Sequence, residues 1–193
     1  LQSSSAASDV YKRQRLDAAT IAFILDHGEA KVVIVDKEYG PVMADALAQA
    51  AATPLVVHVD DHLATAGALI GSVGYDDFWA EGADDPAWPR PADEWQAMCL
   101  NYTSGTTGNP KGVVFHHRGG YLNAIGNAIA FRLDADSRYL WTLPMFHCNG
   151  WTFTWAVTAV MGTHVCLRQV DPAEIFASIR DNGVTHMLSL IHI

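Results

Sequence analysis

Residues 102–112 read YTSGTTGNPKG, and this stretch decides how the 193-residue chain is interpreted. Four hydroxyl side chains lie within residues 103–107, and each can donate a hydrogen bond to a phosphate oxygen. Gly105, Gly108 and Gly112 allow backbone N–H groups to turn towards an anion, and Lys111 adds a positive charge. The spacing is not that of a Walker A loop. The stretch therefore predicts a different kind of phosphate-binding loop.

Short apolar runs and amphipathic segments alternate on both sides of this loop. The predicted helices cover residues 17–27, 43–52, 120–131, 150–161 and 172–180, the last with Asp171 as N-cap. The predicted strands cover residues 30–35, 55–59, 97–102, 113–115, 139–143, 163–167 and 184–187, and the first is expected to be buried. Residues 71–94 are rich in proline and acidic residues and predict a long surface excursion. This order predicts an α/β fold of parallel-sheet layers with crossover helices.

Composition excludes several classes of protein. The formal net charge is −9 without a cluster of basic residues, which argues against nucleic-acid binding. No apolar run reaches the ~18 residues that a membrane span needs. Three widely spaced cysteines match neither a disulfide framework nor a metal site, so we expect a cytoplasmic protein.

The two ends of the chain are related to each other through DNA. Residues 9–14, DVYKRQ, can be written as GAT GTG TAT AAG AGA CAG, whose reverse complement translates as LSLIHI, the sequence of residues 188–193. The ends resemble the translated mosaic-end linker of transposase-based library preparation. We therefore expect residues 1–14 and 188–193 to be linker-derived and residues 15–187 to be the natural part of the chain.

The loop resembles the signature loop of the adenylate-forming family, which includes acyl-CoA synthetases, adenylation domains of peptide synthetases and beetle luciferases. The resemblance extends over most of residues 15–187 and implies that they are a fragment of the large N-terminal AMP-binding domain. It implies that the loop binds the β- and γ-phosphates of ATP. The implied phosphate-binding residues are Thr103, Ser104, Gly105, Thr106, Thr107, Gly108 and Lys111.

A second motif, LPMFHCNGW at residues 143–151, resembles the next core motif of that family, which lines the acyl pocket. By this resemblance His147 lies beside the substrate carboxylate and the nucleotide and acts as a catalytic residue. Asn149, Gly150 and Trp151 would border the acyl group. The HCNGW string is similar to that of short- and medium-chain fatty-acid CoA ligases, including the methylthio-propionate type.

The resemblance implies an acid–CoA ligase that uses ATP, Mg²⁺ and CoA with a small carboxylic acid as substrate. No metal ligand is assigned, and the acid and the oligomeric state stay open. The family's adenine, ribose and C-terminal lysine motifs are absent from this sequence, so we expect the isolated chain to be inactive. Two alternatives are an adenylating enzyme with another acceptor and a non-enzymatic nucleotide-binding module.

Overall fold

Strands and helices alternate along the chain in the computed structural model, which describes residues 16–82, 90–103 and 110–188. The described residues fall into two units. The first unit contains residues 16–82 with residues 102, 103 and 110–112. The second contains residues 90–101 and 113–188.

The helices are named α1 to α7 in chain order. They are α1 Ala18–His27, α2 Gly40–Leu47, α3 Tyr75–Ala80, α4 His117–Ala130, α5 Cys148–Trp151, α6 Phe153–Ala159 and α7 Pro172–Asn182. A 3-10 turn, Lys37–Tyr39, precedes α2. The strands are β1 Val32–Asp36, β2 Leu55–Val59, β3 Val73–Gly74, β4 Ala97–Thr103, β5 Lys111–His116, β6 Arg138–Trp141, β7 Thr163–Cys166 and β8 His186–Met187.

The first unit contains a parallel sheet in the order β1-β2-β3. Helix α1 begins where the Asp17 carboxylate accepts a hydrogen bond from the Thr20 N–H, and it ends at Gly28. Leu25 of α1 packs with Val33 and Val35 of β1 in the core of this unit.

The second unit contains a parallel sheet in the order β7-β6-β8, with β6 in the centre. Helix α4 buries Gly120, Ala124 and Ala128, which recur every fourth residue and therefore share one face. Their core partners are Leu133, Tyr139, Trp141, Phe153, Ala156 and Val157. These small residues let α4 approach α6 closely. This packing supports the region of the second motif, residues 143–151, which is described below.

The parallel sheets confirm the predicted α/β fold class, and most predicted elements are found with shifted bounds. Strand β1 is not buried on both faces, because Val32 and Ile34 are 45% and 54% exposed while Val33 and Val35 are buried. Only one face of this strand is covered by other described residues.

Three further predictions of secondary structure need correction. Helix α2 begins at Gly40 and ends at Leu47, because Pro41 in its first turn favours an early start. The expected excursion contains β3 and α3. The predicted helix over residues 150–161 is divided into α5 and α6, because all residues of α5 and Thr152 after it have a left-handed backbone.

The predicted linker-derived ends lie outside the described residues, except for Leu188, whose carbonyl accepts a hydrogen bond of 2.6 Å from the Thr142 hydroxyl. The division of the chain at residues 15 and 187 stays a prediction. None of the described helices combines the length and the apolarity that a membrane crossing requires.

Candidate active site

The phosphate-binding motif begins at the end of one strand and ends at the start of the next. Thr103 is the last residue of β4 and Lys111 is the first residue of β5, and both are exposed. The two strands form a two-stranded sheet. The predicted phosphate ligands Ser104, Gly105, Thr106, Thr107 and Gly108 lie outside the described residues. The strand-to-loop placement is the one that ligand-binding loops of α/β folds use.

Tyr102, the residue before Thr103, is held by the end of α1. Its hydroxyl shares a hydrogen bond of 2.7 Å with Nδ1 of His27. The ring of Phe23 meets the Tyr102 ring edge-on, at 6.4 Å between centroids. These contacts hold the end of β4, where the strand leads into the loop. This role of His27 could not be predicted from local patterns, because His27 lies 75 residues from Tyr102.

The second motif, LPMFHCNGW at residues 143–151, runs into a left-handed turn. Five consecutive residues, Cys148 to Thr152, have φ angles of 49°, 49°, 58°, 55° and 64°, and we call this segment the left-handed turn. Only Gly150 adopts such angles without a penalty, and each of the other four residues costs about 1–2 kcal/mol. Contacts from outside the turn must therefore stabilise it.

Asn127 of α4 supplies two of these contacts. Its Nδ2 group donates to the Trp151 carbonyl at 2.6 Å and to the Thr152 hydroxyl at 2.8 Å. Since a side-chain amide carries two N–H donors, both are used on the turn. The Thr154 hydroxyl donates a third bond to the Asn149 carbonyl, at 3.2 Å.

Trp141 supports the turn from the core side. A Cβ added to Gly150 would lie 2.5 Å from Cζ3 of the buried Trp141 ring, so the glycine is in direct contact with this ring. The Trp141 indole N–H donates to Nδ1 of His164 at 2.9 Å. Because an indole can only donate, Nδ1 of His164 must be unprotonated.

The ring of His164 continues this chain of hydrogen bonds to α6. The neutral ring carries its proton on Nε2, which donates to the Thr158 hydroxyl at 3.0 Å. That hydroxyl donates in turn to the Thr154 carbonyl at 2.7 Å. Burial lowers the pKa of His164, which favours the same neutral form.

An open cavity of about 400 Å³ lies beside the left-handed turn. This volume falls in the usual range of small-molecule sites. Four of its nine lining residues are aromatic, and two asparagines, a cysteine and a threonine contribute polar groups. The residues that line it are Phe115, Asn123, Asn127, Phe131, Cys148, Trp151, Thr152 and Phe153, together with Leu188 of the predicted linker-derived end. The arrangement can hold a small molecule with an apolar body.

The predicted acyl-motif residues share this turn but differ in their surroundings. Trp151 lines the cavity and is 47% exposed. Asn149 donates from Nδ2 to the Cys99 sulfur at 3.4 Å, and Gly150 is buried against Trp141. His147 is exposed at the N-cap position of α5, where its side chain does not cap the helix. Their proposed roles towards a substrate stay predictions.

Sequence reasoning missed Asn123 and Asn127. The two are four residues apart on α4 and therefore lie on the same helix face. The spacing of the two asparagines is visible in the sequence. It does not by itself indicate a site, because asparagine pairs are common on helices and the sequence does not show that the left-handed turn faces this pair. Of the aromatic residues of the wall, Trp151 was predicted, whereas Phe115 and Phe131 were missed because they come from other parts of the sequence.

The described residues offer no cluster of three or more His, Cys, Asp or Glu side chains that could hold a metal ion. The adjacent His116 and His117 take separate structural parts. Nδ1 of His116 accepts a hydrogen bond of 2.8 Å from the Gly119 N–H at the start of α4.

A glycine- and hydroxyl-rich segment between two paired strands, and a cavity of ligand size, are features that α/β enzymes with phosphorylated substrates often have. Comparison with known families agrees with this class. The family model described as "AMP-binding enzyme" matches residues 6–190. The chain therefore belongs to the AMP-binding enzyme family.

Individual relatives carry the names of CoA ligases. The chain is 42% identical over 184 residues to a peroxisomal acetate/butyrate–CoA ligase of Arabidopsis thaliana, covering 89% of this chain and 32% of that protein. It is likewise 42% identical over 184 residues to an acetate–CoA ligase of Humulus lupulus, with the same coverage of 89% and 32%. The chain thus spans about a third of the length of these relatives.

The fold is also similar to that of a solved fatty acyl CoA synthetase of Mycobacterium tuberculosis. The TM-score is 0.70 at 25% sequence identity, covering 90% of this chain and 32% of that one. The predicted membership of the adenylate-forming family is thereby confirmed, as is the predicted position in its N-terminal domain.

Proposed function

We propose that the full-length protein carrying this chain is an acid–CoA ligase that activates a small carboxylic acid as an acyl-adenylate. The observation that carries the proposal is the aromatic-lined cavity at the second motif, in a member of the AMP-binding enzyme family. The names of the plant relatives, which are acetate– and butyrate–CoA ligases, support the same reaction.

The proposed reaction has two halves. In the first, a carboxylate oxygen of the acid attacks the α-phosphorus of ATP, and the bond to the bridging oxygen breaks, which gives acyl-AMP and pyrophosphate. In the second, the CoA thiol loses its proton and its sulfur attacks the acyl carbon. The bond to AMP then breaks, and the products are acyl-CoA and AMP.

The chain's own residues would act mainly in the first half. Negative charge accumulates on pyrophosphate as it leaves, and the hydroxyls and backbone of the loop, from Thr103 to Gly108, would stabilise it with Lys111. His147 would stabilise charge where the carboxylate meets the α-phosphate. Its exposed position at the start of α5 leaves the ring accessible to a ligand.

Magnesium fits this scheme as a companion of ATP. The described residues lack a cluster of three or more ligating side chains, so the ion would be held in large part by the phosphate oxygens. When bound, it would neutralise charge on the phosphates. The hydroxyls of the loop are the residues of this chain that could reach it or its waters.

The cavity favours a short acyl group. Its volume of about 400 Å³ and the aromatic rings in its wall, Trp151 among them, suit an apolar acyl group. The relatives named for acetate and butyrate agree with that size. The cytoplasm remains our predicted location, and the peroxisomal relative from Arabidopsis makes the peroxisome the competing one.

The test is acid-dependent exchange between ATP and labelled pyrophosphate, measured on the full-length protein with acids from acetate to aryl acids. We expect exchange with short-chain acids and formation of the CoA thioester. Lys111→Met and His147→Ala should lower exchange strongly. Lys31→Met and His62→Ala are matched controls, since both side chains are exposed and lie outside the proposed site.

The outcomes separate the candidate functions. Exchange with thioester formation supports the ligase. Exchange without transfer to CoA would indicate an adenylating enzyme with another acceptor. A folded protein that binds ATP but shows no exchange with any acid would indicate a non-enzymatic nucleotide-binding module.

A further inference from the structure

The left-handed turn is a conformation that its own sequence does not favour. Four of its five residues, Cys148, Asn149, Trp151 and Thr152, are not glycine and have φ angles from 49° to 64°. Side chains with a Cβ avoid this region, and runs of such residues are rarer than single ones. The turn also carries Trp151 into the cavity wall. Whatever holds the turn therefore also sets the position of Trp151.

Asn127 holds the C-terminal half of this turn from a separate helix. One amide group binds the backbone carbonyl of Trp151 at 2.6 Å and the side chain of Thr152 at 2.8 Å. Thr152 is 3% exposed, so its hydroxyl has little access to water as a replacement partner. The two bonds bridge the residue that faces the cavity and the residue at the junction of α5 and α6.

Helix α4 is a rigid base for this contact. It buries Gly120, Ala124 and Ala128 on the face that packs in the core of the second unit. This packing restrains the helix that carries Asn127, so its two bonds hold the backbone of Trp151 relative to the core. Asn123, one helical turn earlier, lines the same cavity but makes no described bond to the left-handed turn.

We propose that Asn127 is a positioning residue that fixes Trp151 in the cavity wall and thereby sets which acids the cavity accepts. The effect on acid selectivity rests on the proposed function, whereas the effect on the turn does not. Without the Asn127 amide the turn relaxes, Trp151 leaves its place, and the cavity admits longer acyl groups.

The experiment compares Asn127→Leu with Asn123→Leu in the full-length protein. Both variants replace an amide by an apolar group of similar size in the same cavity, but only the first removes bonds to the turn. We expect Asn127→Leu to raise kcat/KM for hexanoate relative to acetate about fivefold above the Asn123→Leu variant, mainly through KM. Asn127→Asp keeps the shape and removes the donor to the Trp151 carbonyl, so it should shift the same ratio if the Leu variant does not fold.

A second readout needs no activity. Cys148, the first residue of the turn, and Cys166 of β7 are both exposed thiols. Their labelling by iodoacetamide is followed by peptide mass spectrometry in one sample, so Cys166 serves as the internal reference. We expect the ratio of the Cys148 rate to the Cys166 rate to rise about threefold or more in Asn127→Leu and to change less in Asn123→Leu.

The two readouts separate the possible failures. If the wild-type protein shows no acid-dependent exchange, the proposed function fails, and the labelling ratio alone decides whether Asn127 holds the turn. If exchange occurs but the Asn127 variants match Asn123→Leu in both selectivity and labelling, the positioning role is overturned. A rise in labelling with unchanged selectivity also overturns the proposal, because Asn127 would then hold the turn without affecting the choice of acid.

Discussion

Replacing Gly150 by alanine tests the packing of the left-handed turn against the core. Gly150 has a φ of 58°, and an alanine there costs about 1–2 kcal/mol more than glycine. The new methyl group would lie 2.5 and 2.7 Å from Cζ3 and Cη2 of Trp141, a residue that is 4% exposed. Moving this ring costs about 1–3 kcal/mol, as in other overpacked cores. The free energy of unfolding should therefore fall by about 2–5 kcal/mol.

Urea unfolding of the full-length protein, followed by tryptophan fluorescence, measures this change. At an unchanged slope the midpoint should fall by about 1–2 M. Gly126→Ala is the matched control. The Cβ that it adds in α4 meets nothing within 4 Å, and the substitution replaces a glycine inside a helix. That variant should gain about 0.5–1 kcal/mol. If Gly150→Ala unfolds at the wild-type midpoint, the contact between Gly150 and the Trp141 ring does not exist in the protein.

Three other predictions follow from single contacts. Lys111→Met should lower pyrophosphate exchange by about 10–100-fold, the usual effect of losing a charged hydrogen bond. The control Lys31→Met should keep the wild-type exchange activity. Equal activities of the two variants would show that Lys111 is not part of the site. Asp171→Ala should cost about 1 kcal/mol of stability in urea, because Asp171 accepts from the Ala173 and Glu174 N–H groups at the start of α7; no loss would mean that the cap is not formed. Burial lowers the pKa of His164 in the folded state. The neutral form therefore stabilises the fold above the ordinary histidine pKa near 6.5. This stability is lost as the pH falls through the lower pKa of the folded state. The urea midpoint of the wild type should therefore fall more steeply below pH 6.5 than that of His164→Gln, and parallel pH profiles would contradict the assignment.

Local patterns predicted the elements whose signals are contained in a few neighbouring residues. The bounds of β2 agree with the prediction, because β-branched residues fill it. Helix α7 begins at Pro172 behind its N-cap Asp171, as the sequence indicated. Both signals act within one turn or one strand, so they do not depend on distant parts of the chain.

Features that depend on distant contacts were not predictable in this way. Helical spacing predicted one helix over residues 150–161, but the contacts of Asn127 and Trp141 stabilise a left-handed turn at its start. Trp95 is 63% exposed, and its ring lies tilted by 56° against the ring of His116, at 4.8 Å between centroids, a contact that local patterns do not indicate. The motif thus identified the region of the candidate site, whereas its geometry depends on Trp141, which lies before the motif, and on Asn127, 24 residues before Trp151.

The contacts around the left-handed turn connect core packing to the proposed choice of substrate. Trp141 is a core residue of β6, yet it touches Gly150 and binds His164, whose hydrogen bonds reach α6. A change that moves the Trp141 ring should therefore alter both the stability of the second unit and the position of Trp151. Asn127 differs, because its bonds reach only the turn and its helix is packed through other residues. The loss of stability that accompanies a selectivity change should thus be smaller at Asn127 than at Trp141, and this difference distinguishes positioning of the substrate from general loosening of the core.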